Sequence, residues 1–79
     1  MTALTREQLE KLRAGPPWGL EPIIQPLCEA ILATRSGHPW PEKALARLQQ
    51  SARSWLWCDS GMVALLMAEL DSNALELNA

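Results

Sequence analysis

Few side chains in this chain could do chemistry, and their spacing argues against most of it. His38 is the single imidazole, and Cys28 and Cys58 are the two thiols. A structural zinc site wants paired ligands a few residues apart, which these three residues do not supply. A Cys58–His38 nucleophile pair can be drawn on paper, but nothing in the sequence places the two side chains together. His38 stands between Gly37 and Pro39, the setting of a loop histidine. There is no glycine-rich phosphate loop, no GxSxG and no HExxH. The expectation is therefore a protein without catalytic, cofactor-binding or metal-binding residues.

The residues that stand out are those suited to contact. No Lys or Arg follows Arg53, and Met62 to Ala68 reads Met-Val-Ala-Leu-Leu-Met-Ala without a polar side chain. Around that run lie four acids, Asp59, Glu69, Asp71 and Glu76. The preceding stretch, residues 41–58, holds Lys43, Arg47 and Arg53 against Glu42, for a local charge of +2. Residues 59–79 carry −4. Two neighbouring helices of opposite sign that attract one another are the simplest expectation. The four tryptophans, Trp18, Trp40, Trp55 and Trp57, are the only aromatic residues. Tryptophan is enriched at binding hot spots, but here it must also do ordinary core filling.

These residues need elements to position them, and the chain punctuates itself into four helices. The spans read are about 5–14, 22–35, 42–57 and 60–76. Thr5 with Gln8 makes a capping box, in which each side chain satisfies the other's free backbone N–H. Leu4, Leu9 and Leu12 form a thin stripe, so this first helix is expected to be loosely docked. Gly15-Pro16-Pro17 stops it, with Gly15 suited to a left-handed cap. Trp18, Gly19 and Leu20 read as a linker with apolar anchors. In the second helix, Pro22 suits the first turn, whereas Pro26 distorts the turn or marks where regular helix begins. Ile23, Ile24, Leu27, Cys28 and Ile31 share one arc. Leu45, Leu48, Ala52, Trp55 and Leu56 mark the buried face of the third helix. Asp59 or Ser60 caps the fourth. There Leu65 falls at about 300° from Met62 at 100° per residue, the one large apolar side chain off the buried arc.

Trp55 and Trp57 lie about 200° apart on a helix, so one of them points away from the core. Trp57 is the candidate. With Met62 and Leu65 it makes an apolar patch of the kind that marks a partner site.

Length sets the remaining bounds. At 79 residues, 48% of them apolar and 20% charged, this is one small globular domain. A core of that size nets roughly 3–5 kcal/mol, so association is a natural source of further stability. Leu and Ala dominate over Val, Ile and Thr, which favours an all-α fold, a compact bundle of about four short helices. The chain opens without an apolar leader and has no run of the ~20 apolar residues a membrane span needs, so a cytoplasmic location with reduced, buried thiols is expected.

The function expected is a small non-enzymatic protein-binding module, an adaptor or inhibitor of a larger protein partner. Small proteins carried by phages or encoded beside bacterial effectors offer the analogy. Trp57, Met62 and Leu65 would supply affinity, and Glu69, Asp71 and Glu76 would steer encounter. The alternative is a helix–turn–helix regulator whose third helix reads DNA through Lys43, Arg47, Gln49, Gln50, Ser51 and Arg53. A net charge of −2 and a connection longer than the usual 3–4-residue turn argue against a nucleic-acid partner. A homodimer through the fourth helix is compatible with either reading.

Overall fold

The computed structural model describes residues 4–57 and 61–78, with side chains as far as residue 73. The described residues form four helices: α1 (Arg6–Ala14), α2 (Glu21–Arg35), α3 (Glu42–Trp55) and α4 (Met62–Asn78). The expected all-α bundle is what the chain forms. The Cα radius of gyration, 11.6 Å, is that of a compact chain of this length.

α2 is the hub. Among the described residues it is the helix that packs against all three others. The cause is in its composition: Ile23, Ile24, Leu27, Cys28, Ala30, Ile31 and Thr34 are all buried. A helix with so wide an apolar arc must be covered on more than one side. Among the described residues Thr34 is the one buried polar residue, and its hydroxyl donates to the Ala30 carbonyl at 2.9 Å. Satisfied in this way, it carries little desolvation cost.

Both prolines of α2 lie within the helix. Regular helix begins at Glu21, with Pro22 in its first turn and Pro26 inside. The turn is held by the amides of Ile23 and Ile24, which donate to the Leu20 carbonyl at 3.1 and 2.9 Å. Packing of the surrounding isoleucines thus carries the helix past the amide that Pro26 lacks. At the other end, the Gly37 and His38 amides donate to the Thr34 and Ala33 carbonyls at 3.1 and 3.0 Å. With Gly37 at φ +83°, that is a Schellman cap.

α1 is docked more firmly than its thin stripe suggested. Leu9 is fully buried in the common core, with Leu4 and Leu12 packed against it. The Thr5–Gln8 capping box is present, with reciprocal bonds of 2.9 and 3.1 Å. At the far end the Gln25 side-chain amide donates to the Arg13 carbonyl at 3.1 Å, tying α1 to α2. Gly15 does not adopt the expected left-handed cap: its φ is −136°, and its N–H closes the helix on the Lys11 carbonyl. The left-handed residue is Gly19, at φ +88°, in a turn closed by Leu20 N–H to Pro17 O at 3.0 Å. This is the type II pattern, with glycine at the third position.

α3 ends earlier than expected. Leu56 and Trp57 form a turn beyond Trp55, with the Leu56 amide donating to the Arg53 carbonyl at 3.3 Å. Leu48 and Ala52 are buried, and Leu45, Trp55 and Leu56 flank them. On α4, Val63, Leu66 and Leu70 enter the core with Met62 and Met67 beside them. The proposed caps Asp59 and Ser60, and Cys58, lie outside the described residues.

Candidate functional site

Three large apolar side chains stand exposed among the described residues: Trp18 (96%), Trp57 (94%) and Leu65 (48%). Two of these were singled out from sequence. Trp57 is exposed because the chain has left the helix by that point, not because it occupies the opposite helical face. Leu65 is exposed for the reason expected, since Val63, Leu66 and Leu70 turn the opposite side of α4 to the core. Met62 is half-buried against the core.

Trp18 reverses the expectation of an apolar anchor. It occupies the second position of the Pro17–Leu20 turn, and the turn directs its indole into solvent. Leu20 alone does the anchoring, packed against the core cluster. Trp40 and Trp55 are the two tryptophans that fill space beside the core.

Glu69 and Asp71 do not share one surface. At 100° per residue, Leu65 lies about 40° from Glu69 and about 60° from Met62, but about 120° from Asp71. Asp71 is directed towards α3, where it accepts a hydrogen bond from the Gln49 side-chain amide at 2.6 Å. Glu69 belongs to a polar ring at the C-terminal end of α2. Arg35 donates through Nη2 to Glu69 Oε1 and through Nε to Asn73 Oδ1, the latter at 2.8 Å. Asn73 Nδ2 closes the ring on the Glu69 carbonyl at 2.6 Å and on Oε1 at 3.2 Å. The Arg35 and Glu69 side chains are 25% and 11% exposed, so this ion pair is substantially shielded. Glu76 lies outside the described side chains.

This corrects the expected attraction between α3 and α4. Among the described residues, the cation that meets α4 comes from α2, and the α3 group that bonds to it is a neutral amide. Lys43, Arg47 and Arg53 are exposed and form no ion pair among the described residues. Arg53 lines a shallow open depression with Ala46, Gln49 and Gln50. Sequence reasoning missed Arg35 and Asn73. The Glu69–Asn73 spacing of four residues was a readable signal, whereas the approach of Arg35 depends on how α2 and α4 cross.

Cys28 is fully buried, and burial pushes its thiol up to about 11, with nearby Arg13 opposing and Glu29 adding to the shift. At neutral pH such a thiol is protonated and a poor nucleophile. His38 is exposed in the α2–α3 connection. Among the described residues no three His, Cys, Asp or Glu side chains cluster as metal ligands would, and no helix is long and apolar enough to cross a membrane. No family model, curated protein or solved structure matches the chain, so its architecture and surface must speak for its function.

Proposed function

We propose that the protein is a small non-enzymatic binding module, an adaptor or inhibitor that occupies a surface of a larger protein. The observation that carries this reading is the exposure of Trp57 and Leu65 on a domain with so few residues to spare from its core. An exposed tryptophan offers large contact area with little side-chain entropy to lose, the property that makes it a frequent hot spot. Met62 and Leu65 lie on neighbouring positions of α4 and add apolar area. Asp71 and Glu76 give the same helix a negative field able to steer a partner before contact.

Affinity capture with the tagged protein, compared with a Trp57→Ala/Leu65→Ser variant of equal helicity, tests the proposal. The expected result is a defined partner, recovered in stoichiometric amount and lost with the variant. Recovery of the bait alone at every salt concentration would count against it.

One observation favours a second reading. The exposed Lys43, Arg47 and Arg53 are left without carboxylate partners among the described residues, as a phosphate-binding face requires. Against it, Gln49 is engaged with Asp71, which puts a carboxylate beside that face. A mobility shift at low salt that disappears in Arg47→Ala and Arg53→Ala would favour DNA. Sedimentation across a dilution series tests the homodimer.

A further inference from the structure

Trp18 and Trp57, 96% and 94% exposed, stand in two different connections, and the helix directions bring those connections to one end of the bundle. Each consecutive pair of helices packs together across a short connection, which makes neighbours antiparallel. The α1–α2 and α3–α4 connections therefore share an end, and the α2–α3 connection lies at the other. The side-chain bonds agree. Gln25, in the first half of α2, reaches the Arg13 carbonyl at the close of α1. Arg35, at the close of α2, reaches Glu69 and Asn73 beyond the middle of α4, as two helices running the same way require. The tryptophan end also carries Lys11, Arg13 and Arg53, the exposed basic residues in the last turns of α1 and α3. They stand beside Glu21 in the first turn of α2 and, by sequence, Asp59. Glu42, which opens α3, and Glu69 and Asp71 on α4 lie towards the opposite end.

We propose that this end docks peripherally on an anionic lipid surface, with Trp18 and Trp57 entering the headgroup layer and Lys11, Arg13 and Arg53 meeting lipid phosphates. An indole has an apolar body and a polar N–H, and the boundary between headgroups and acyl chains satisfies both. Two such side chains on one end, with cations a few residues before each, place apolar and basic groups at neighbouring depths. Shape favours a bilayer over a protein. Both indoles protrude almost wholly from their own surface, so a protein partner would need two separate pockets at matched spacing. A lipid surface moulds to any convex pair. The α1–α2 turn is also stiff: Pro16 and Pro17 fix their own backbone angles, and the Leu20 amide closes the turn on the Pro17 carbonyl. Trp18 therefore enters with little freedom left to lose. The acids at the opposite end turn that end away from a negative surface. This goes beyond the binding-module reading, which keeps Met62 and Leu65 for a protein partner.

The test uses the full chain with vesicles of phosphatidylcholine and phosphatidylglycerol at low salt, read by co-sedimentation and by tryptophan emission. Co-sedimentation with a blue shift is the expected result, because the two solvated indoles leave water while Trp40 and Trp55 stay packed. Trp18→Ala and Trp57→Ala should each weaken partitioning by about tenfold. Removing Arg13 and Arg53 together, as Arg13→Gln/Arg53→Gln, should weaken it by about fivefold for each cation. Circular dichroism checks that each variant keeps its helices, which substitutions at exposed positions should. No partitioning of the wild-type protein, or partitioning unchanged in Trp18→Ala/Trp57→Ala, would overturn the proposal. Equal binding to vesicles of phosphatidylcholine alone would overturn the part given to the cations. If vesicles fail but a captured protein is lost on Trp18→Ala, the tryptophan end belongs to a protein partner instead. The vesicle assay contains no other protein, so this proposal and the binding-module reading can each fail alone.

Discussion

α2 and α4 are the two most apolar helices of the chain, and the bundle treats them in opposite ways. α2 is enclosed by α1, α3 and α4, and its seven buried residues form the centre of the core. α4 lies against α2 and α3, buries Val63, Leu66 and Leu70, and leaves Leu65 in solvent. The difference is one of place in the packing order rather than of greasiness. A helix with three neighbours can hide a wide arc, whereas one with two must leave part of its circumference uncovered. An apolar helix at the edge of a small bundle is therefore the natural place for a contact surface.

The sharpest way to break that contrast is to truncate each helix in turn. Leu27→Ala, at a fully buried position of α2, should cost about 2–5 kcal/mol. That is comparable to the whole stability expected of such a domain, and urea denaturation should find the variant largely unfolded. Leu65→Ser on α4 should shift the same curve by no more than about 0.5 kcal/mol, as should Trp18→Ala and Trp57→Ala. A large loss from any of these three would mean that the surface is structural.

A second, smaller effect comes from the buried thiol of α2. The folded chain holds the Cys28 proton up to about 11, against 9.0 for an unperturbed thiol. The folded state therefore binds that proton more tightly than the unfolded state does. Its contribution is fully present below pH 9 and is lost as pH rises through 11, by an amount on the order of 2–3 kcal/mol. Cys28→Ala should flatten that part of the stability–pH curve. Smaller again is the cap of α1, where Thr5→Ala should cost about 1 kcal/mol by thermal melting, since it removes one half of the capping box.

The parts of this molecule that were legible from sequence are those decided locally. The capping box of α1, the arc from Ile23 to Ile31 and the misplaced Leu65 depend on residues within a turn or two of each other. Helix ends were less legible, because α3 stops at Trp55 where nothing in the side chains forbids two more residues. Least legible was which charges would meet. Sequence put opposite charges on consecutive helices, but Arg35 reaches Glu69 from across the bundle. That pairing is fixed by the crossing of α2 and α4, a tertiary fact with no local trace. Trp18 misled for a different reason: an apolar side chain in a linker suggests anchorage, and only the turn's geometry shows which way it points.

The left-handed glycines on either side of α2 have a chemical consequence. At Gly37, φ is +83° and a methyl group would meet nothing within 4 Å. An L-alanine there would be strained by handedness alone, with no clash to blame. Its mirror-image amino acid, introduced by chemical synthesis, would sit in that backbone without strain while narrowing the freedom of the denatured chain. A D-alanine at position 37 should therefore raise the melting temperature, by about 0.4–1 kcal/mol in stability, where its L counterpart lowers it.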